Sequence, residues 1–361
     1  MTEGVGGPGA PSGPGGPGGP GEPGGPGEPG GPGELGAPGG FGWPPPAPAR
    51  PGPPQAWQAR PYPQLLRGPT FRWWRPLAGL AVAAGLAVLG ILVVAGVGAA
   101  LQLADGLDPG ASGPAAEAQL TAWMARPIGF LYTNLTLAAL IPVVLLATWA
   151  GYGWRPRWVS SVAPGLRRGW LLRCYLIALV VLGVITVGLE LAGGYTWTPE
   201  RQWPWLVLVT LVTTPLQAAG EEYLFRGWIP QLVGSAVPNA TAGALLGGGL
   251  SSALFALAHG QQDGWLFADR LAFGALACWL AWRTGGLEAG IALHGANNIV
   301  ALLLTIGAGD LSATLTATQG SPIFLGFDVI TLLITIAVIL RLARRSRLAR
   351  LFTPPAWALA R

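Results

Sequence analysis

The sequence predicts an all-α integral membrane protein of about eight transmembrane helices with both termini in the cytoplasm. Of 361 residues, 51% are hydrophobic and 10% charged, and the mean hydropathy is +0.47; a soluble domain carries roughly 25% charged residues. Eight apolar stretches come near the roughly 20 residues that cross a hydrocarbon core. Arginine, in a chain without lysine, is concentrated in alternate connections.

The apolar stretches run approximately over 77–103, 128–150, 171–193, 204–230, 241–260, 265–283, 286–306 and 322–340. The first is the most uniform; the sixth is the least, because Asp269 and Arg270 lie near its start. Arg60, Arg67, Arg72 and Arg75 precede the first span, and Arg155, Arg157, Arg167, Arg168 and Arg173 fall between the second and third. Arg283 ends the sixth, and Arg341, Arg344, Arg345, Arg347 and Arg350 follow the eighth. Eight crossings put all of these on one side, which the positive-inside rule makes cytoplasmic. The opposite connections hold Asp105, Asp108, Glu117, Glu200, Asp263 and Asp310 against Arg126, Arg201 and Arg270. The net charge of +5 and pI near 9.8 therefore express topology and attraction to anionic lipid, with no nucleic-acid partner implied.

Residues 1–70 are of another kind. From Gly15 to Gly42 glycine recurs at every third position, the collagen period, but the run is short and glycine often fills the second position as well. The expectation is a disordered Gly/Pro-rich cytoplasmic tail that cannot bury a core. It passes into RGPTFRWWRP, whose Arg72, Trp73, Trp74 and Arg75 suit the headgroup boundary ahead of the first span. That span begins too late and runs too long for a cleaved signal peptide. The polytopic domain is expected over 71–345 and a C-terminal cytoplasmic tail over 346–361. Cys174 and Cys278 fall in different spans and suggest no disulfide framework.

The fourth span ends in AAGEEYLFRG, and ionisable groups inside a span are functional candidates by default. Residues four apart share a helical face, so Glu222 can neutralise Arg226 while Glu221 points elsewhere and needs a partner from another helix. Interfacial charges at the end of a span are the plainer reading. Against it stand the two histidines of the chain, both within spans: His259 follows Phe255 by four residues, and His294 precedes Asn298 by four. A carboxylate can take a proton from water, while imidazole and amide groups can bind a metal or hold a developing oxyanion.

EEYLFR at Glu221 to Arg226, FALAH at Phe255 to His259 and HGANN at His294 to Asn298, in this order on successive helices, resemble the EExxxR, FxxxH and HxxxN motifs of the CPBP intramembrane proteases. That family includes the type II CAAX prenyl endopeptidases and bacteriocin-processing or abortive-infection proteins, and the resemblance covers about residues 200–306. It implies an intramembrane endopeptidase acting on a membrane-associated or lipid-modified protein. Glu221 would activate water, His259 and His294 would be metal ligands or oxyanion partners, and Asn298 an oxyanion donor. Glu222, Arg226 and Phe255 would support them.

Paired histidines with a carboxylate are a common hydrolytic ligand set, so a divalent metal, zinc, is the expected cofactor. The spacing is not that of a single-helix HExxH site, and three helices must converge. Counted at about 1.5 Å per residue, the heights of Glu221, His259 and His294 do not coincide. Tilt with kinks at Pro215 and at Gly247 to Gly249 is the expected remedy, and the site is expected to face a cytoplasmic cavity. A proton-coupled transporter and a non-catalytic membrane scaffold or immunity protein are the competing classes.

Overall fold

A computed structural model describes residues 59–68, 71–153, 156–163 and 165–353. The expected disorder of the Gly/Pro tail, up to residue 58, and the position of Arg155 lie outside the described residues. The chain is built almost entirely of helices: α1 (Arg75–Ala104), α2 (Gly113–Met124), α3 (Pro127–Ala138), α4 (Leu140–Tyr152), α5 (Arg168–Ala192), α6 (Trp203–Glu221), α7 (Ile229–Ala236), α8 (Ala240–Leu257), α9 (Gly264–Thr284), α10 (Glu288–Ala308), α11 (Leu311–Leu315) and α12 (Pro322–Arg345). Start and stop signals are local. The side chains of Asn239, Asp263 and Ser321 accept from the backbone N–H three residues on, at 2.9, 2.8 and 3.1 Å, which satisfies an orphan donor at the start of each helix.

Seven segments are long and apolar enough to cross a membrane: α1, α3 with α4, α5, α8, α9, α10 and α12. The eighth expected span is helical as well, but it runs as α6, a π-helical segment over Glu222–Trp228, and α7. Buried Thr210, Thr213, Thr214, Gln217, Glu221, Glu222 and Arg226 keep it out of the apolar class while leaving it in the middle of the bundle. Sequence reading also missed α2, a short helix ahead of α3. Outer helices turn apolar residues outward, as with Ile91, Leu92, Val180 and Val184, whereas α10 is buried continuously from Glu288 to Ala296 and packs on α5 and α6.

One end of the bundle gathers the arginine-rich segments. A two-residue strand, β1 (Arg60–Pro61), pairs antiparallel with β2 (Leu351–Phe352), Arg167 donates to the carbonyl of Ala349 at 3.0 Å, and Arg67 donates to that of Ser235 at 2.8 Å. The described parts of the two terminal segments are thus at the same end, as an even number of crossings requires. The domain boundaries move accordingly: Tyr62, Leu65 and Leu66 are buried, and so is Phe352. The folded region therefore starts before residue 71 and continues past 345.

α6 continues through Pro215 and α8 through Gly247 to Gly249 as unbroken helices. The irregular stretch lies further on, at the π-helical residues, and Pro230 bears on it. Proline lacks an N–H, so the carbonyl of Phe225, five residues earlier, has no i→i+5 donor; Ser251 of α8 donates to it instead, as a buried carbonyl requires. Gly220 closes α6 against the carbonyl of Leu137 at the end of α3, where a Cβ would collide with backbone. A Gly220→Val variant is expected to lose about 1–3 kcal/mol through overpacking, read as a lower unfolding temperature in detergent, whereas Gly249→Ala, with open space at its Cβ, should unfold no earlier than wild type.

Candidate active site

The sequence-predicted residues converge. A cavity of about 160 Å³ is lined by Gln217, Glu221, Phe255, His259, His294 and Asn298 together with Asp269, Arg270, Phe273, Asn297, Asp328 and Leu332. Glu221 comes from the last turn of α6, His294 and Asn298 lie one turn apart on α10, and His259 stands two residues beyond the end of α8. The height mismatch is absorbed by stagger: the α9–α10 turn is itself buried, with Leu287 and Glu288 fully enclosed, so α10 begins well inside the protein.

Glu222 is completely buried and serves two partners through Oε1. Arg226 Nη1 lies 3.0 Å away and His294 Nδ1 2.9 Å away. The expected i, i+4 pair is therefore present, and it survives inside a π-helical stretch because the wider turn still leaves residues four apart close to one another. The Arg226 guanidinium sits 3.9 Å from the Phe255 ring centroid and 5.2 Å from that of Phe273, so aromatic faces supply the rest of its electrostatic compensation. Phe255 in turn packs edge-on to His259 with centroids 4.6 Å apart, and Phe273 lies 5.0 Å from His294. Gly290 is required by the carboxylate, since a Cβ there would come within 2.5 Å of Glu222 Oε2.

Glu221 is held separately. Gln217 Nε2 donates to its Oε1 at 2.7 Å, His294 Nε2 is 3.6 Å from its Oε2, and Asn298 Nδ2 donates to Gln217 Oε1 at 3.2 Å. Gln217 thus ties the carboxylate to the amide. It was missed in the sequence, although it precedes Glu221 by four residues, the same spacing that paired Glu222 with Arg226. Phe273 carries no comparable local signal, because its role depends on α9 lying over both Arg226 and His294.

Imidazole chemistry follows from the partners. The Phe255 carbonyl, 2.7 Å from His259 Nδ1, can only accept, so Nδ1 carries the proton and a neutral His259 presents Nε2 as an acceptor. In His294, Nδ1 faces the Glu222 carboxylate and Nε2 faces Glu221. Both rings are oriented through Nδ1 by a protein oxygen, as hydrolytic and metal-ligating histidines usually are. Among the described residues, no group of three or more His, Cys, Asp or Glu side chains is gathered to hold a metal ion.

Glu222→Gln should leave Arg226 unpaired in a dry place and destabilise by about 3–5 kcal/mol, measured by detergent unfolding. Adding Arg226→Met should recover part of that stability. It should not recover His294 positioning, so any hydrolysis should stay depressed in the double variant.

Residues 202–300 match the family model described as type II CAAX prenyl endopeptidase Rce1-like. The uncharacterized protein YyaK of Bacillus subtilis strain 168 is 28% identical over 132 residues, which are 35% of this chain and 44% of that protein, so the similarity spans less than half of either. No solved structure matches at a significant level. The matched segment of this membrane protein holds Glu221, Phe255, His259, His294 and Asn298, which line the cavity, together with Glu222 and Arg226 behind it, and the likeness to the family model is confined to residues 202–300.

Proposed function

We propose that the protein is an intramembrane endopeptidase that hydrolyses a peptide bond of a membrane-associated or lipid-modified protein, using water activated by Glu221. The observation that carries this reading is the position of Glu221. Of the two adjacent glutamates it is the one without an arginine partner, it borders the cavity, and it is oriented by Gln217 and faced by His294.

In the proposed reaction a water bound at Glu221 gives its proton to the carboxylate as its oxygen attacks the scissile carbonyl carbon, and Glu221 returns the proton to the leaving amine. Of the two N–H bonds of the Asn298 amide, one serves Gln217 and the other is free for the oxyanion of the tetrahedral intermediate. A neutral His259 cannot donate through Nε2 and is assigned to accept from the water. Glu222, Arg226 and Phe255 act through others: they fix the rings of His294 and His259 and neutralise the buried charge.

Zinc on His259 and His294 is proposed as the cofactor from donor chemistry, since both rings leave Nε2, a good zinc donor, without a fixed protein hydrogen bond; with zinc bound, the His259 Nε2 lone pair would be on the metal and would not accept from the water. When bound, zinc would polarise the carbonyl and acidify water. The steps above are assigned to the side chains alone. Neither a proton-coupled transporter nor a scaffold needs Glu221 to generate a new amino terminus in a second protein.

Two measurements follow. Purified Glu221→Gln should be folded and should cleave a lipid-modified or membrane peptide at least 10²-fold more slowly than wild type, the range for loss of a general base; a well-folded, fully active variant would overturn the mechanism. A chelator should abolish cleavage and added zinc restore it, with His259→Ala and His294→Ala each losing stoichiometric metal. Active enzyme holding less than about 0.1 metal per chain, well below the one ion that a site requires, would remove zinc and leave Glu221 as base.

A further inference from the structure

We propose that Asp269 and Asp328 form a cation-recognising subsite of the cavity, so that the polypeptide it receives carries a lysine or arginine side chain within a few residues of the bond presented to Glu221. This rests on the reading of the cavity as a protease site and adds a substrate feature that the site selects.

The two carboxylates come from different helices. Asp269 lies on α9 and Asp328 on α12, which pack against each other, and both line the cavity that holds Glu221, His259 and His294. Among the described residues neither carboxylate takes part in an ion pair. Asp263, at the start of α9, shows the contrast: its carboxylate accepts from the N–H groups of Leu266 at 2.8 Å and Gly320 at 3.0 Å, and so builds structure. Asp269 is half-buried and Asp328 keeps exposed surface, and a carboxylate within a span that has no such duty is a functional candidate.

The neighbouring cation is turned elsewhere. Arg270 also lines the cavity, but its Nη1 donates to Gln262 Oε1, and Gln262 Nε2 donates to the Ala256 carbonyl at 2.6 Å. The guanidinium is therefore tied to the end of α8. With neutral imidazoles, the lining sets the carboxylates of Glu221, Asp269 and Asp328 against Arg270 alone, and the cavity is acidic.

Buried polar atoms mark the same space as a place for a ligand. His294 is 4% exposed and Glu221 8%, and His294 Nε2 stands 3.6 Å from Glu221 Oε2, beyond hydrogen-bond range. Such atoms need partners, and a group bound between them and the aspartates supplies them. An extended chain advances about 3.3 Å per residue, so a polypeptide with one bond at Glu221 brings its nearby side chains to Asp269 and Asp328. Lysine and arginine reach a carboxylate while laying methylenes on apolar surface, which Phe273 and Leu332 provide in the lining. Attraction between unlike charges is stronger in a poorly solvated cavity than in water, and an acidic side chain in the same place is repelled, so the subsite rejects as well as selects. Asp328 lies beyond the segment 202–300 that matches the family model, which makes the subsite a feature of this chain.

The test is a binding comparison on full-length protein carrying Glu221→Gln, in nanodiscs of zwitterionic lipid. The probes are three pools of acylated peptides of one degenerate apolar sequence, identical except that the scanned position holds lysine, glutamine or glutamate; peptide retained with the protein is counted by mass spectrometry. Lysine peptides should be retained about tenfold or more over glutamine peptides, the margin of one desolvated charge pair, and glutamate peptides least. Asp269→Asn and Asp328→Asn should each reduce the lysine advantage, and Asp328→Lys should move the preference to glutamate. Equal retention of the three pools, retention of none, or a lysine advantage that survives both asparagine changes together would overturn the proposal. The comparison among pools needs no aspartate variant, so a variant that fails to fold does not decide it. Binding needs no turnover: failure here leaves the role of Glu221 standing, and a fully active Glu221→Gln enzyme would overturn that role without altering the order of the pools.

Discussion

The site depends on one buried carboxylate. Glu222 Oε1 is within 3.0 Å of both Arg226 Nη1 and His294 Nδ1, with no exposure to solvent that could share the load. An isolated charge in that environment is expensive enough to neutralise itself. Two positive or donating partners, with Phe255 and Phe273 stacked around the guanidinium, make it tolerable. Because Arg226 belongs to the same chain segment and His294 to α10, the same charge balance that stabilises the segment also sets the angle at which His294 meets Glu221.

That constraint propagates into the backbone. The π-helical residues 222–228 allow Glu222 and Arg226 to face α10 and α9 together, and π-helical segments concentrate at functional positions for this reason. The carbonyl left over by Pro230 must find a donor, and Ser251 supplies it, which ties α8, and with it Phe255 and His259, to the charged segment. Small residues then allow the approach: Gly290 clears space for the Glu222 carboxylate, and Gly247 accepts the backbone of Pro230 at 2.9 Å from where its Cβ would stand. In a bilayer, where helix association relies on close packing and hydrogen bonds, these contacts hold a polar centre inside an apolar bundle.

Two carboxylates adjacent in sequence thereby acquire separate duties. Glu222 is spent on structure, bonded and enclosed, while Glu221 keeps an oxygen toward the cavity and is held by Gln217. The chain His294, Glu221, Gln217, Asn298 links residues of α6 and α10 without using the arginine, and His294, bonded to Glu222 through Nδ1, is the one point at which the two carboxylates are coupled.

By itself the sequence determined the membrane class, the approximate spans, the segregation of arginine to one end, and five of the residues around the cavity, Glu221, Phe255, His259, His294 and Asn298, because each rests on composition or on a four-residue spacing that any helix expresses locally. Glu222 with Arg226, Phe255 with His259 and Gln217 with Glu221 all lie within one turn; the last was legible by the same rule and went unread. Tertiary structure decided what local periodicity does not encode. The heights at which Glu221, His259 and His294 meet depend on α10 starting inside the protein and on the irregular turn after Glu221. Phe273 joins Arg226 and His294 only through the packing of α9. Residues 60–66 and 156–163 dock at the arginine-rich end because Tyr62, Leu65, Leu66 and Val159 bury apolar surface there, a docking that a Gly/Pro-rich composition upstream concealed.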